Sequence, residues 1–265
     1  CSNNLKQWGL VLKMYANEAK GSFPPLKIWN VTGNNDDAVV LNDGSDLVFD
    51  GQAMYPEYIS DWKVFICPSD SFSNRTGSGQ NVPDRWYYSG SSNPSLAGKI
   101  DPRRIDSTSY VHLGWTVNDQ LLGAGAAVPT DANDPNWSLT TNGNLLLMNG
   151  LLGILTGGDP KAYDEDLNVG DGLGLNGGST VYRLREGIER FLITDINNPA
   201  ASALAQSELA VMFDTVSKYV GDFSHVPGGA NTLYMDGHVE FLRYPSEFPA
   251  SVAFAALAND IQEML

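Results

Sequence analysis

The stretch that decides the fold is Phe223 to Tyr244, FSHVPGGANTLYMDGHVEFLRY. Two β-rich runs flank Asp236-Gly237, and Asp-Gly between such runs is a strong hairpin signal. A two-residue turn there would pair Met235 with His238, Tyr234 with Val239, Leu233 with Glu240 and Thr232 with Phe241. That register predicts a core face made of Tyr234, Val239, Phe241 and the Thr232 methyl. It puts His238, Glu240, Leu233 and Met235 on the opposite face. Pro227-Gly228-Gly229 predicts a sharp bend into the first strand.

Composition sets the outer bounds. The chain has 265 residues, 27 of them Gly and 14 Pro, with 42 % hydrophobic residues, which describes a loop-rich globular protein. Thirty-one acids against 16 bases give a net charge of −15, which argues against nucleic acid and anionic membrane surfaces as partners. No apolar run reaches the ~18 residues needed to span a bilayer. Two cysteines, Cys1 and Cys67, are compatible with free thiols, one disulfide or a lipid-modified Cys1, and are too few for a cysteine-only zinc site.

Residues 1–20 read as an amphipathic helix with a stripe of Leu5, Trp8, Leu12, Tyr15 and Ala19, stopped by Gly21 and Pro24-Pro25. The helical pattern is already under way at Cys1, so the expectation is that the native N-terminus lies upstream. Residues 27–60 contain polar turns, and 62–67, WKVFIC, reads as a short buried strand ahead of Cys67-Pro68-Ser69-Asp70. Residues 71–105 read as a long surface excursion. Ser109 to Val117 alternates, with Val111, Leu113, Trp115 and Val117 on one face and Tyr110 and His112 on the other, so His112 is expected on a sheet surface. A loop is expected over 124–137, and Leu145 to Leu155 reads as a buried helix or a strand. Residues 180–195 return to regular structure, with Val181, Leu184, Ile188, Phe191 and Leu192 at roughly helical spacing. Val211 to Asp214 reads as a buried strand ending in a carboxylate. Ser246 to Leu265 reads as a final helix, with Ser246 as N-cap and Pro249 in the first turn.

Two ends of the chain resemble one family. His225, Pro227-Gly228-Gly229-Ala230-Asn231, an apolar run and then Asp236-Gly237-His238-Val239 are similar to the C-terminal His-x9-Asp-Gly signature of prepilin-like proteins. Here ten residues, Val226 to Met235, separate His225 from Asp236. Cys1-x-Asn3-Asn4-Leu5-Lys6-Gln7 and Gly21-Ser22-Phe23-Pro24-Pro25 resemble the segment that follows the hydrophobic anchor in the same family, and Cys67-Pro68-x-Asp70 resembles its Cys-Pro-x-Asp. The resemblance implies an α+β, pilin-like fold in which an N-terminal amphipathic helix packs on an antiparallel sheet, with long loop insertions and a C-terminal hairpin and helix. Residues 1–22 would be the C-terminal half of the scaffold helix, without its membrane-anchor half, and 23–265 a single globular domain. It implies a non-enzymatic subunit of a type IV pilus-like or type II secretion-like filament, exported and anchored in the inner membrane before assembly. Its partners would be other pilin-like subunits, through the N-terminal helix, and a secreted protein or glycan. Export also implies an oxidising compartment, in which Cys1 and Cys67 would pair as a disulfide. A lipoprotein anchor at Cys1 is the rival reading.

Four kinds of chemistry compete with simple structural roles. Asp164-x-Asp166-x-Asn168 has the spacing of the first three EF-hand ligands, but Val169 replaces the turn Gly and Leu175 the bidentate Glu. An irregular calcium loop from Asp159, Asp164, Asp166, Asn168 and Asp171 is the remaining metal reading, and the family resemblance favours it. A zinc reading would use His225, Asp236 and His238. A hydrolase reading can pair only His225 with Asp214, and no Gly-x-Ser-x-Gly elbow accompanies them. A carbohydrate-binding surface would draw on Trp29, Trp86, Tyr87, Tyr88, Trp115 and Trp137, which equally suit a core. Asp195 and Asp214 read as structural, binding backbone amides.

Overall fold

The computed structural model describes residues 1–31, 39–41, 46–70, 86–90, 93–119, 122, 131, 160–171, 174, 178–192, 205–219 and 223–264. Residues 145–155, most of 124–137, 71–85, Asp159 and Asp195 lie outside them. The backbone is organised by an antiparallel sheet of four strands in the order β3 (Tyr110–Val111), β6 (Ala210–Asp214), β7 (Gly229–Tyr234) and β8 (Val239–Arg243). Two two-stranded ribbons, β1 (Trp29–Val31) with β2 (Val39–Leu41) and β4 (Leu167–Asn168) with β5 (Thr180–Val181), complete the strands among the described residues. The chain is therefore mixed helix and antiparallel sheet. Among the described residues no helix is long and apolar enough to cross a membrane.

Every residue of β6 and β7 is buried, so both faces of the sheet are covered at its two central strands. Successive side chains alternate between faces. Leu233 and Met235 join a core with helix α1 (Ser2–Glu18), where Leu5, Trp8 and Leu12 meet Phe49 and Phe65. Ala230 and Tyr234 join a second core with the C-terminal helix α2 (Val252–Met264), where Phe213 packs edge-on against Phe248 and Phe254. Between Ala210 and Met212 the register of β6 shifts, and Val211 and Met212 both fall in the α1 core. A bulge sets two residues against one, which is how neighbours come to share a face.

The hairpin differs from the sequence expectation by one residue. Leu233 faces Val239, Thr232 faces Glu240 and Asn231 faces Phe241. Tyr234 N donates to His238 O at 3.0 Å and Gly237 N donates to Tyr234 O at 2.9 Å, so the loop is Met235-Asp236-Gly237. Gly237 has φ 92°, whereas Asp236 keeps a negative φ. A two-residue type I′ turn would need positive φ at both. A type I turn followed by a glycine bulge needs it only at the glycine. The shift regroups the faces: Val239 sides with Leu233 and packs against the α1 core, not with Tyr234. Leu233 and Met235, expected away from the core, are 1 % and 2 % exposed. His238 stacks flat on Tyr234, with ring centroids 4.5 Å apart, and Phe241 is exposed on the edge strand.

Helix α1 ends where Lys20 and Gly21 adopt φ 56° and 92° and Gly21 N bonds back to Ala16 O at 2.8 Å. This closing pattern satisfies carbonyls that the last turn would otherwise leave open. The buried stripe is Leu5, Trp8, Val11, Leu12 and Ala16, with Tyr15 at its margin against Tyr58. Gly9 lets the helix approach the hairpin: a Cβ there would sit 3.1 Å from Leu233 Cδ1.

Four local expectations are corrected. Trp62–Phe65 is a 3-10 helix, not a strand. Asp61 caps it, and its carbonyls have partners on α1 instead of a neighbouring strand: Trp8 Nε1 donates to Val64 O at 3.2 Å. The alternating run at 109–117 contributes only Tyr110–Val111 to the sheet, because Gly114 at φ 79° turns the chain toward an isolated bridge at Trp115 and Arg183. Over 180–192, the described part of the stretch expected at helical spacing, the chain forms β5 and a 3-10 helix, Ile188–Phe191. The last helix starts at Val252, not after Ser246. Ser251 Oγ accepts from Phe254 N at 3.3 Å, while Phe248 N in the preceding bend donates to Asp119.

His112 is a fifth correction. It is fully buried, not on a sheet surface. Its backbone N donates to Leu47 O at 2.8 Å and Nδ1 donates to Val211 O at 2.7 Å, with the Phe49 ring beside it. Burial, and then the Arg183 guanidinium, push its pKa down to about 3 from 6.5. The folded state therefore resists protonation that the unfolded chain accepts. Stability from this group is full above about pH 6.5 and is lost as pH falls toward about 3. Between pH 7 and pH 5 the loss should be about 2 kcal/mol. Urea unfolding at the two pH values should show that loss in the wild type and a smaller one in His112→Asn. Parallel pH profiles would contradict it.

Candidate functional site

The last residue of β6, Asp214, is completely buried and faces the start of β7. Its Oδ2 accepts from Asn231 N at 2.8 Å and from Asn231 Nδ2 at 2.7 Å. Here a carboxylate stands in for the strand carbonyl that would continue the β6–β7 ladder. His225 Nε2 lies 2.9 Å from the same Oδ2 and 2.9 Å from Asn231 Nδ2. With a carboxylate at that distance, Nε2 carries the proton and donates to Oδ2. On its other side Cys67 Sγ lies 3.6 Å from Nε2. Cys67 is disulfide-bonded to Cys1, with Cα atoms 4.9 Å apart across 66 residues of sequence.

Each neighbour is brought in by a local feature. Asn4 Nδ2 donates to Ile66 O at 2.9 Å, holding the segment before Cys67 on the first turn of α1. Past Cys67, Asp70 N donates to Cys67 O at 3.0 Å and Asp70 accepts from Ser109 Oγ at 2.7 Å, which ties the Cys-Pro turn to the strand side. His225 points inward while Val226 is 85 % exposed, so the loop bends outward immediately after the histidine. Gly228 and Gly229 return it to the sheet at φ 134° and 153°. A Cβ at Gly229 would lie 2.4 Å from Leu242 O and 2.6 Å from the Phe241 ring, so only glycine fits. Tyr110, paired with Asp214 across β3 and β6, has its phenol pKa raised by burial and then by the Asp214 charge. Asp214 Oδ1 and Thr232 Oγ1 are buried without a hydrogen-bond partner.

The arrangement differs from that of a catalytic triad. A catalytic histidine uses one ring nitrogen toward the orienting acid and the other toward the nucleophile. Here the acid, the amide and the sulfur all converge on Nε2, and the sulfur is held in a disulfide. The pairing of His225 with Asp214 expected from sequence is present.

The other candidate residues fall elsewhere. Asp236 and His238 belong together at the hairpin turn, where Nδ1 is 2.6 Å from Oδ1, beyond the far end of β7 from His225. The zinc reading of His225, Asp236 and His238 is thereby excluded. In the proposed calcium loop, Asp164 pairs with the buried Arg183 at 3.3 Å, and Asp166 accepts from Arg183 N at 2.7 Å and from both terminal nitrogens of Arg185. Asn168 Oδ1 accepts from Gly170 N at 3.1 Å, and Asp171 is exposed. Arginine and local turns thus occupy these oxygens; among the described residues they form no metal-ligand grouping, which is found only at Cys1, Cys67, Asp214 and His225. Of the aromatic set, Trp86 and Trp115 are buried core residues and cannot stack on a sugar, Trp29 is exposed, and Trp137 lies outside the described residues.

Asn231 is the site residue that sequence reasoning missed. Its signal was a lone amide inside the apolar strand Ala230 to Tyr234, where a buried polar group must have a partner. No protein-family profile, curated protein or solved structure matches the chain.

Proposed function

We propose that this chain is the outward-facing domain of an exported, pilin-like structural subunit, with α1 continuing from a membrane-anchoring helix. The observation that supports the reading best is spatial. The residues that carry the resemblance are far apart in sequence, yet Cys1, Asn4, Cys67, Asp70 and His225 belong to one connected cluster. A signature scattered over 225 positions makes physical sense if its members jointly clamp a scaffold helix to its sheet. Val226, 85 % exposed directly after His225, offers room for the tenth residue of the spacing outside the hairpin. Immunogold labelling of intact cells with antibodies to the globular domain tests the reading. Label along surface filaments, or at their tips for a minor subunit, is the expected result. Label dispersed in the soluble fraction, with filaments unmarked, would overturn it.

A further inference from the structure

The four groups around the disulfide have a chemistry that the oxidised state does not use. We propose that Cys1, Cys67, His225 and Asp214 form a zinc site that the disulfide closes: the reduced chain binds one Zn²⁺ and the oxidised chain does not. Two thiolates, an imidazole and a carboxylate are a complete tetrahedral donor set for zinc. One ligand atom from each residue lies within 4.8 Å of all the others. With Zn–S near 2.3 Å and Zn–N near 2.0 Å, a tetrahedral ion sets its S···N edge at about 3.6 Å. Cys67 Sγ to His225 Nε2 is already 3.6 Å. The His225–Asp214 contact of 2.9 Å would open by only about 0.4 Å, and the two sulfurs would part to about 3.8 Å.

The outer shell is also in place. Asn231 holds Asp214 Oδ2 through two donors, the kind of support that orients a ligating carboxylate. Asp214 is fully buried with Oδ1 unpartnered, an environment in which a cation relieves the cost of a buried charge. Cys1 and His225 are partly exposed and provide the entry side, while Cys67 and Asp214 form the floor. The chemistry balances with a dithiol as reductant. Its thiolate attacks one sulfur, the Cys1–Cys67 bond breaks, and the reductant leaves as its own disulfide after delivering two electrons. As zinc binds, both thiols release their protons to solvent. The imidazole stays neutral: the proton leaves Nε2, where the ion takes its place beside Asp214 Oδ2, and Nδ1 takes one up from solvent.

The test is anaerobic titration of the whole chain, reduced by a dithiol that is then removed, with Co²⁺ alone as the spectroscopic probe. One equivalent should give a thiolate-to-cobalt charge-transfer band and the strong visible bands of a tetrahedral site, both abolished by Zn²⁺. The oxidised chain should give neither. His225→Ala should weaken binding by at least about 10-fold. If the reduced chain loses its circular dichroism without metal, equimolar Zn²⁺ should restore it. Absence of tetrahedral bands, unchanged affinity in His225→Ala, or failure of Zn²⁺ to restore an unfolded reduced chain would each overturn the proposal.

Discussion

Replacing Cys1 and Cys67 together by alanine is expected to cost about 4 kcal/mol of stability in the oxidised protein. The estimate follows from loop closure. The bridge closes a loop of 66 residues, and releasing it returns about 15 cal/mol/K to the unfolded chain. At about 2–4 °C per kcal/mol for a chain of this size, the melting temperature should fall by about 8–16 °C. The position of the bridge adds to the effect. It joins the residue before α1 to a buried cysteine beside β6, so the first turn of the helix should fray as the mutant loosens. Amide hydrogen exchange should show lost protection at residues 5–8, whose amides make the first bonds of α1, before any loss in β7. A shift under about 2 °C would mean that the helix is held by packing alone, through Trp8 and Leu12.

Asp214→Ala is expected to cost about 3–5 kcal/mol, because it strands three donors at once. Asn231 N, Asn231 Nδ2 and His225 Nε2 all depend on one carboxylate oxygen. Each buried donor left without an acceptor costs about 1–3 kcal/mol, with His225 at the low end because it is partly exposed. Asp214→Asn keeps an acceptor oxygen and should lose less. Asp236 provides the comparison. It also bonds a histidine and a backbone amide, but at an exposed turn, so Asp236→Ala should cost about 1 kcal/mol or less. Denaturant unfolding of the three variants should rank them Asp214→Ala, Asp214→Asn, Asp236→Ala. Equal small losses would contradict the keystone role of Asp214.

The sequence made the elements with long local patterns legible. Helix α1, strand β6 ending at Asp214, the hairpin and the final helix were readable from periodicity and turn chemistry. Errors arose where a partner distant in sequence decides the outcome. WKVFIC looks like a strand, and only Trp8 and Asn4 on α1, which take its carbonyls, make it a 3-10 helix. Alternation at 109–117 reveals that there are two faces but not which one meets water, and the segment carrying Leu47 and Phe49 covers the His112 face. Asp-Gly announces a turn, whereas its length depended on whether Asp236 would take a positive φ. Within the site, His225, Asp214 and both cysteines could be singled out from sequence, but their meeting at one nitrogen could not. That meeting spans separations of 158 residues and more only through the sheet order and the disulfide.

The most direct measurement is the N-terminal sequence and mass of the mature full-length protein isolated from its own cells. A pilin-like subunit should show a methylated N-terminal residue left by prepilin-type cleavage, then about 20 apolar residues running without a helix break into Cys1. Cys1 should be joined to Cys67 in the non-reduced protein. A lipidated Cys1, or a mature chain that starts after a conventional signal peptide with no apolar helix ahead of α1, would contradict the pilin-like reading.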